Sequence, residues 1–121
     1  MPSTKQVAPP FRITPVVFHV LLALSEGETH GYRIMNEVKE RTRGRLKIGP
    51  GSLYFTLNRL LEAAMIEEAP KRPVGEGDDS RRRYYRLTDF GREVLESELA
   101  ILADIVSLAR ERGLRLDASP A

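Results

Sequence analysis

The stretch IGPGSLYFTLNRLLEAAM, residues 48–65, decides how the rest of the chain is read. Gly49 and Pro50 form a helix start, because proline suits the first turn, where its missing N–H would have no partner. Leu53, Leu57, Leu60, Leu61 and Ala64 then recur with the spacing of a single helix face. Gly51, Ser52, Phe55, Asn58, Arg59 and Glu62 fall on the opposite face. The pattern predicts an apolar back, a mixed polar front and an N-terminus built of small residues. A short strand, a turn broken by Pro70, Pro73, Gly75 and Gly77, and an arginine-rich strand are expected to follow.

Upstream, residues 1–13 contain Pro2, Pro9 and Pro10 and read as a loosely held arm. Its Lys5 and Arg12 either touch a phosphate backbone or belong to a frayed end. Thr14-Pro15 predicts a helix over 15–26, with Val17, Val20, Leu21 and Leu24 on one face. Phe18 and Leu22 lie well round that cylinder and need cover of their own, from a second subunit or from the last helix of the same chain. Thr29 is expected to cap a helix over 30–43, with Tyr32, Ile34, Met35 and Val38 turned inward and Gly44 at its left-handed end. Leu46-Lys47-Ile48 is expected to pair briefly as a strand.

Downstream, residues 66–69 and 83–87 read as two strands of a β-hairpin with a loop of about a dozen residues. Tyr85 and Leu87 share its inner face, while Tyr84 and Arg86 are expected outside; Tyr54 is expected at the edge of the core. Six cations (Lys71, Arg72, Arg81, Arg82, Arg83 and Arg86) face three acids in this region and sit at the base of the loop. Thr88-Asp89 opens a long last helix, expected over 89–113. Leu95, Leu99, Leu102, Val106 and Ala109 step along it by four and three residues, and Ile101, Ile105 and Leu108 broaden the stripe. Such a helix is a dimerisation element or an intramolecular packing helix.

With 121 residues the chain suits one domain with a single core. Hydrophobic residues make up 41% and charged residues 30%, a globular balance. The absence of cysteine excludes disulfides, thiolate zinc sites and cysteine nucleophiles. Apolar runs fall short of the ~18 residues of a membrane span, and no secretory leader is visible, so a cytoplasmic location without membrane contact is expected. The formal net charge is only +2, so the placement of charge must carry the argument.

Three helices followed by a hairpin are the order of a winged helix-turn-helix, whose third helix enters the major groove while the wing meets the backbone. The fold class expected is therefore mainly α with a small β-hairpin. Its organisation is a flexible arm (1–13), a winged helix-turn-helix domain (14–88), a C-terminal dimerisation helix (89–113) and a flexible tail (114–121). Gly51, Ser52 and the free N–H groups beside them suit a phosphate oxygen. Phe55, Asn58 and Arg59 are placed to meet base edges or thymine methyls. Arg81, Arg82, Arg83, Tyr84 and Arg86 complete the expected DNA contacts, the arginines by neutralising phosphates. Phe18, Leu22, Leu95, Leu99, Leu102, Ile105, Val106 and Ala109 form the expected dimer interface.

His30-Gly31-Tyr32, Gly49-Pro50-Gly51-Ser52-Leu53-Tyr54, Leu57, Arg59-Leu60 and Arg82-Arg83-Tyr84-Tyr85-Arg86-Leu87-Thr88 with Gly91 occur in that order. Together they resemble the PadR-like family of bacterial transcriptional regulators, over about residues 15–92, and the single helix after the wing is similar to its compact branch. The resemblance implies a homodimeric repressor of its own or a neighbouring gene, bound to a roughly palindromic duplex. It also implies release from DNA by a small aromatic or drug-like molecule or another cellular signal. Asn58 stands where the family often has a basic residue, and the last helix carries only Phe90 as an aromatic for any stacking pocket. The other functional readings are a winged-helix module for protein contacts and an enzyme. His19 and His30 show no metal-ligand spacing, and neither a nucleophile elbow, a dinucleotide loop nor a phosphate-hydrolysing loop is present, so no catalytic residue, metal or cofactor is expected.

Overall fold

The computed structural model describes residues 7–70 and 82–116. The elements run α1 (Pro15–Leu24), β1 (Thr29–His30), α2 (Gly31–Arg41), α3 (Pro50–Glu62), β2 (Ile66–Glu68), β3 (Tyr84–Leu87) and α4 (Asp89–Glu111). The strands form one antiparallel sheet in the order β1-β3-β2, with Thr29 opposite Tyr85 and Glu67 opposite Arg86. Three helices and a wing are thus present in the expected order, but the wing sheet has a third strand.

That strand corrects two expectations. Leu46-Lys47-Ile48 does not pair; Thr42 Oγ1 accepts from the Leu46 N–H at 3.1 Å, and Ile48 is buried against the core. The pairing segment is Thr29–His30, so Thr29 is not the cap of α2. His30 caps it instead, its Nδ1 accepting from the Arg33 N–H at 3.3 Å, while the buried Thr29 Oγ1 has no hydrogen-bond partner. α2 ends with Arg43 rather than Gly44 as its first left-handed residue. Arg43 has φ +54°, its N–H reaches Glu40 O, and Gly44 N–H reaches Lys39 O at 2.8 Å, the paired bonds of a Schellman end. Tyr32 is 60% exposed instead of turned inward, because it lies ~200° round the helix from Ile34.

The core joins α1, α2, α3, the sheet and the first turns of α4. α1 starts as expected, with Thr14 Oγ1 accepting from Val17 N–H, but ends at Leu24, where Ser25 Oγ donates to Leu22 O. Leu53, Leu57 and Leu60 of α3 are completely buried. Residues 7–13 are not a frayed arm: Val7, Phe11 and Ile13 pack against the core, and Val7 N–H donates to Ser97 Oγ of α4 at 3.1 Å.

α4 is anchored at its first turn. Thr88 Oγ1 accepts from Gly91 N–H and donates to Ala64 O, while Thr88 N–H donates to Met65 O at 3.1 Å. Gly91 lies so close to the α3–β2 corner that a Cβ there would stand 1.9 Å from Met65 O. Leu95, expected at the dimer interface, is 3% exposed and belongs to the core of its own chain, because the domain still faces α4 at that point. From Leu99 onward the helix leaves the domain, and Ile105 is 57% exposed. Among the described residues no helix is long and apolar enough to cross a membrane, and no group of His, Asp and Glu is placed to hold a metal ion.

Candidate nucleic-acid interface

Burial of Leu53, Leu57 and Leu60 fixes the rotation of α3 and turns its other side outward. Gly51, Ser52, Phe55, Asn58 and Arg59 are all exposed on that side. Gly49 is the N-cap and offers no side-chain hydrogen bond, so the helix start presents backbone N–H groups and the positive end of its dipole. Phe55 is 64% exposed. Arg59 is held between aromatic rings, its guanidinium carbon 4.2 Å from the centroid of Phe11 and 5.9 Å from that of Phe55. Phe11 was not expected at this surface. The signal for it is that it is the only aromatic of residues 1–13, set between Pro10 and Arg12.

A second group gathers at the start of α2. His30 packs edge-on to Tyr84, with ring centroids 5.3 Å apart. Arg82 NH1 is 3.4 Å from His30 Nε2, and its guanidinium lies 6.0 Å from the Tyr32 ring centroid. Tyr84 is therefore half-buried rather than fully outside. Tyr54 is 48% exposed, with the hydroxyl end of its ring against buried Gly31 at the start of α2. The position of a Cβ on Gly31 would be 3.3 Å from its hydroxyl, and it is near enough to Arg83 to influence it.

Among the described residues the remaining wing cations, Arg83 and Arg86, are paired within the sheet. Arg83 forms a fork on Glu68, Nε to Oε1 at 3.1 Å and NH2 to Oε2 at 2.8 Å. The hydrogen bond to Glu68 is the main reason why the Arg83 pKa is raised further above its ordinary value. Arg86 Nε donates to Glu67 Oε1 at 2.9 Å, directly across the ladder. Tyr85 is buried beneath Arg83, and that burial raises its phenol pKa, with the Arg83 charge opposing. Arg81 and the rest of the hairpin loop lie outside the described residues. The structure thus brings the α3 residues onto one face, joins Arg82 and Tyr84 to the start of α2, and places Arg83 and Arg86 against carboxylates.

Of the expected interface residues on α4, Leu99, Leu102, Ile105 and Val106 are exposed and Ala109 is half-buried; Phe18 and Leu22 of α1 are half-buried.

Residues 20–97 match the model of the transcriptional regulator PadR-like family. The chain is 42% identical over 84 residues to a 37.1 kDa protein in transposon TN4556 of Streptomyces fradiae, covering 69% of this chain and 22% of that protein. It thus spans about a fifth of that relative's length. It is 35% identical over 101 residues to transcriptional regulator Rv3488 of Mycobacterium tuberculosis, covering 84% of this chain and 85% of that one. The crystal structure of Bacillus subtilis PadR in complex with operator DNA is similar with a TM-score of 0.57 and 27% identity, over 68% of this chain and 45% of that one. Since the match takes in α2, α3, the whole wing sheet and the anchored part of α4, this chain belongs to the transcriptional regulator PadR-like family, a family of DNA-binding regulators and not of enzymes.

Proposed function

We propose that this chain is a homodimeric, sequence-specific DNA-binding regulator that represses its own or a neighbouring gene. The observation that carries the reading is the two-sidedness of α3. Its back is sealed into the core, while Gly51 and Ser52 stand in solvent at a helix start with free N–H groups and Phe55, Asn58 and Arg59 follow on the same exposed side. In this reading α3 enters the major groove, the Gly51 and Ser52 amides meet a phosphate, and Phe55, Asn58 and Arg59 read base edges. Arg82 and Tyr84 meet the flanking backbone beside His30 and Tyr32, and Arg81 extends that contact. Arg83 and Arg86 join with the guanidinium N–H groups that Glu68 and Glu67 leave free, or by exchanging those carboxylates for phosphates.

Pairing through the exposed stripe of α4 sets two α3 helices about one DNA turn apart (~34 Å), which fits a roughly palindromic duplex. Binding to DNA, though not the pairing, is supported by the likeness to Bacillus subtilis PadR in complex with operator DNA. Fluorescence anisotropy with a duplex taken from immediately upstream of the gene, against a scrambled duplex, is the test. A preference of ~10³-fold or more is expected for the first. Equal and weak binding to both would remove self-regulation, and no binding at low salt would leave the chain a protein-contact module.

A further inference from the structure

A groove of about 450 Å³ opens between α1 and the connection from α2 to α3. Pro15 and His19 form one wall, and Arg41, Thr42, Arg43, Arg45 and Leu46 form the other. The charge around it is concentrated. From 39 to 47 every second residue is basic (Lys39, Arg41, Arg43, Arg45 and Lys47), and Glu40 is the single acid among them. All five cations are exposed. The chain as a whole carries a formal charge of only +2, so this cluster is a local feature and not a reflection of composition.

The partners of these cations differ. Arg41 is tied to Glu37 and also reaches the His19 carbonyl and Nδ1, each at 3.3 Å. Arg43 and Arg45 line the same groove and make no side-chain hydrogen bond or ion pair among the described residues. Arg43 moreover sits at a left-handed position, φ +54°, where glycine would be the less strained residue. The groove therefore holds two uncompensated guanidinium forks beside a third cation, with no carboxylate in its lining. His19 is held toward its neutral form, first by burial and then by the Arg41 charge. Planar forks of this kind match the oxygens of a phosphate.

We propose that this groove is a phosphate-binding site separate from the α3 front and the wing, with Arg43 and Arg45 as its principal ligands. The phosphate comes either from a duplex lying against α3 or from a free phosphorylated molecule. Arg45 precedes the first residue of α3 by only five positions, a reach of at most ~17 Å, which keeps a duplex source within range. The duplex source rests on the DNA-binding function proposed above; the free source does not.

Two arms of one experiment separate the sources, using the full chain and the double variant Arg43→Gln/Arg45→Gln. In the first, duplex affinity is followed from 50 to 200 mM salt. Loss of two phosphate contacts should lower the slope of log affinity against log salt by about 1.8, and Arg43→Lys/Arg45→Lys should keep most of it. In the second, inorganic pyrophosphate is titrated by calorimetry at low salt. A free-phosphate site predicts binding to the wild-type chain, weakened roughly 10-fold or more in the Gln variant, with the duplex slope unchanged. An unchanged slope together with no pyrophosphate binding, or equal binding to both chains, overturns the proposal. Should the wild-type chain bind no duplex at any salt, the proposed function falls and the pyrophosphate arm alone decides the groove.

Discussion

The two halves of α4 carry the same kind of apolar row and meet opposite surroundings. Val94 and Leu95 are sealed against the domain, and Gly91 touches the backbone of Met65. One turn beyond Leu95, Leu99 is already partly in solvent, and Leu102, Ile105, Val106 and Leu108 follow it there. The periodicity does not change at the boundary; what changes is whether the chain folds back to supply a cover. A seam written at regular spacing is core where it faces its own domain and becomes available to another molecule where it extends past it.

The sharpest way to break the contrast is at Gly91. Gly91→Ala puts a methyl group into the Met65 carbonyl, and backbone cannot yield as a side chain can. The expected cost is about 3 kcal/mol or more, seen as a fall in Tm of at least ~10 °C by circular dichroism. An unchanged melting curve would mean that the first half is not anchored as described.

A paired comparison comes next. Leu95→Ala should cost about 2–5 kcal/mol at any protein concentration, because it leaves a hole in a single chain's core. Leu102→Glu should leave the circular dichroism spectrum intact but convert a dimer to a monomer in sedimentation, and should abolish any dependence of Tm on concentration. If Leu102→Glu sediments as the wild type does, the outer half is not the seam.

Two smaller effects refine the boundary. Val7 N–H meets Ser97 Oγ where the sealed half ends, so Ser97→Ala should cost about 1 kcal/mol and speed hydrogen exchange at Val7. At the corner beneath Gly91, Ala64 occupies the left-handed residue that ends α3, φ +57°, whereas α4 ends on Gly113 at φ +74°. Ala64→Gly should therefore stabilise the chain by roughly 0.5–1 kcal/mol, read from chemical denaturation; a loss of stability would show that the Ala64 methyl group contributes more than its strain costs.

Most of the fold was legible wherever a period and a punctuation mark agreed. Pro50 with Leu53, Leu57 and Leu60 gave both the start and the buried side of α3, and the solvent side followed from them. Thr14-Pro15 and Thr88 marked their helices in the same way. β1 was not legible, because two residues have no period and its partner Tyr85 lies far along the chain. The cap of α2 is not legible in the sequence because a histidine ring, not the neighbouring hydroxyl, accepts the free N–H. Nor could local pattern foresee that Glu67 and Glu68 lie across from the wing arginines; that depends on the register of two strands joined by a long loop. Leu95 cannot be told from Leu99 by sequence, because a regular seam carries no mark of where its own domain ends.

The contact between Gly91 and Met65 has a mechanical consequence. α4 has 23 residues, a rod ~34 Å long, and its fixed end touches the corner that follows directly from α3. Backbone meets backbone there with no side chain between, so the fixed end of the rod has little room to shift against that corner. A tilt of about 5° about that end sweeps the far end through ~3 Å. The outer half of α4 is thus a lever handle, and its leverage is set by helix length.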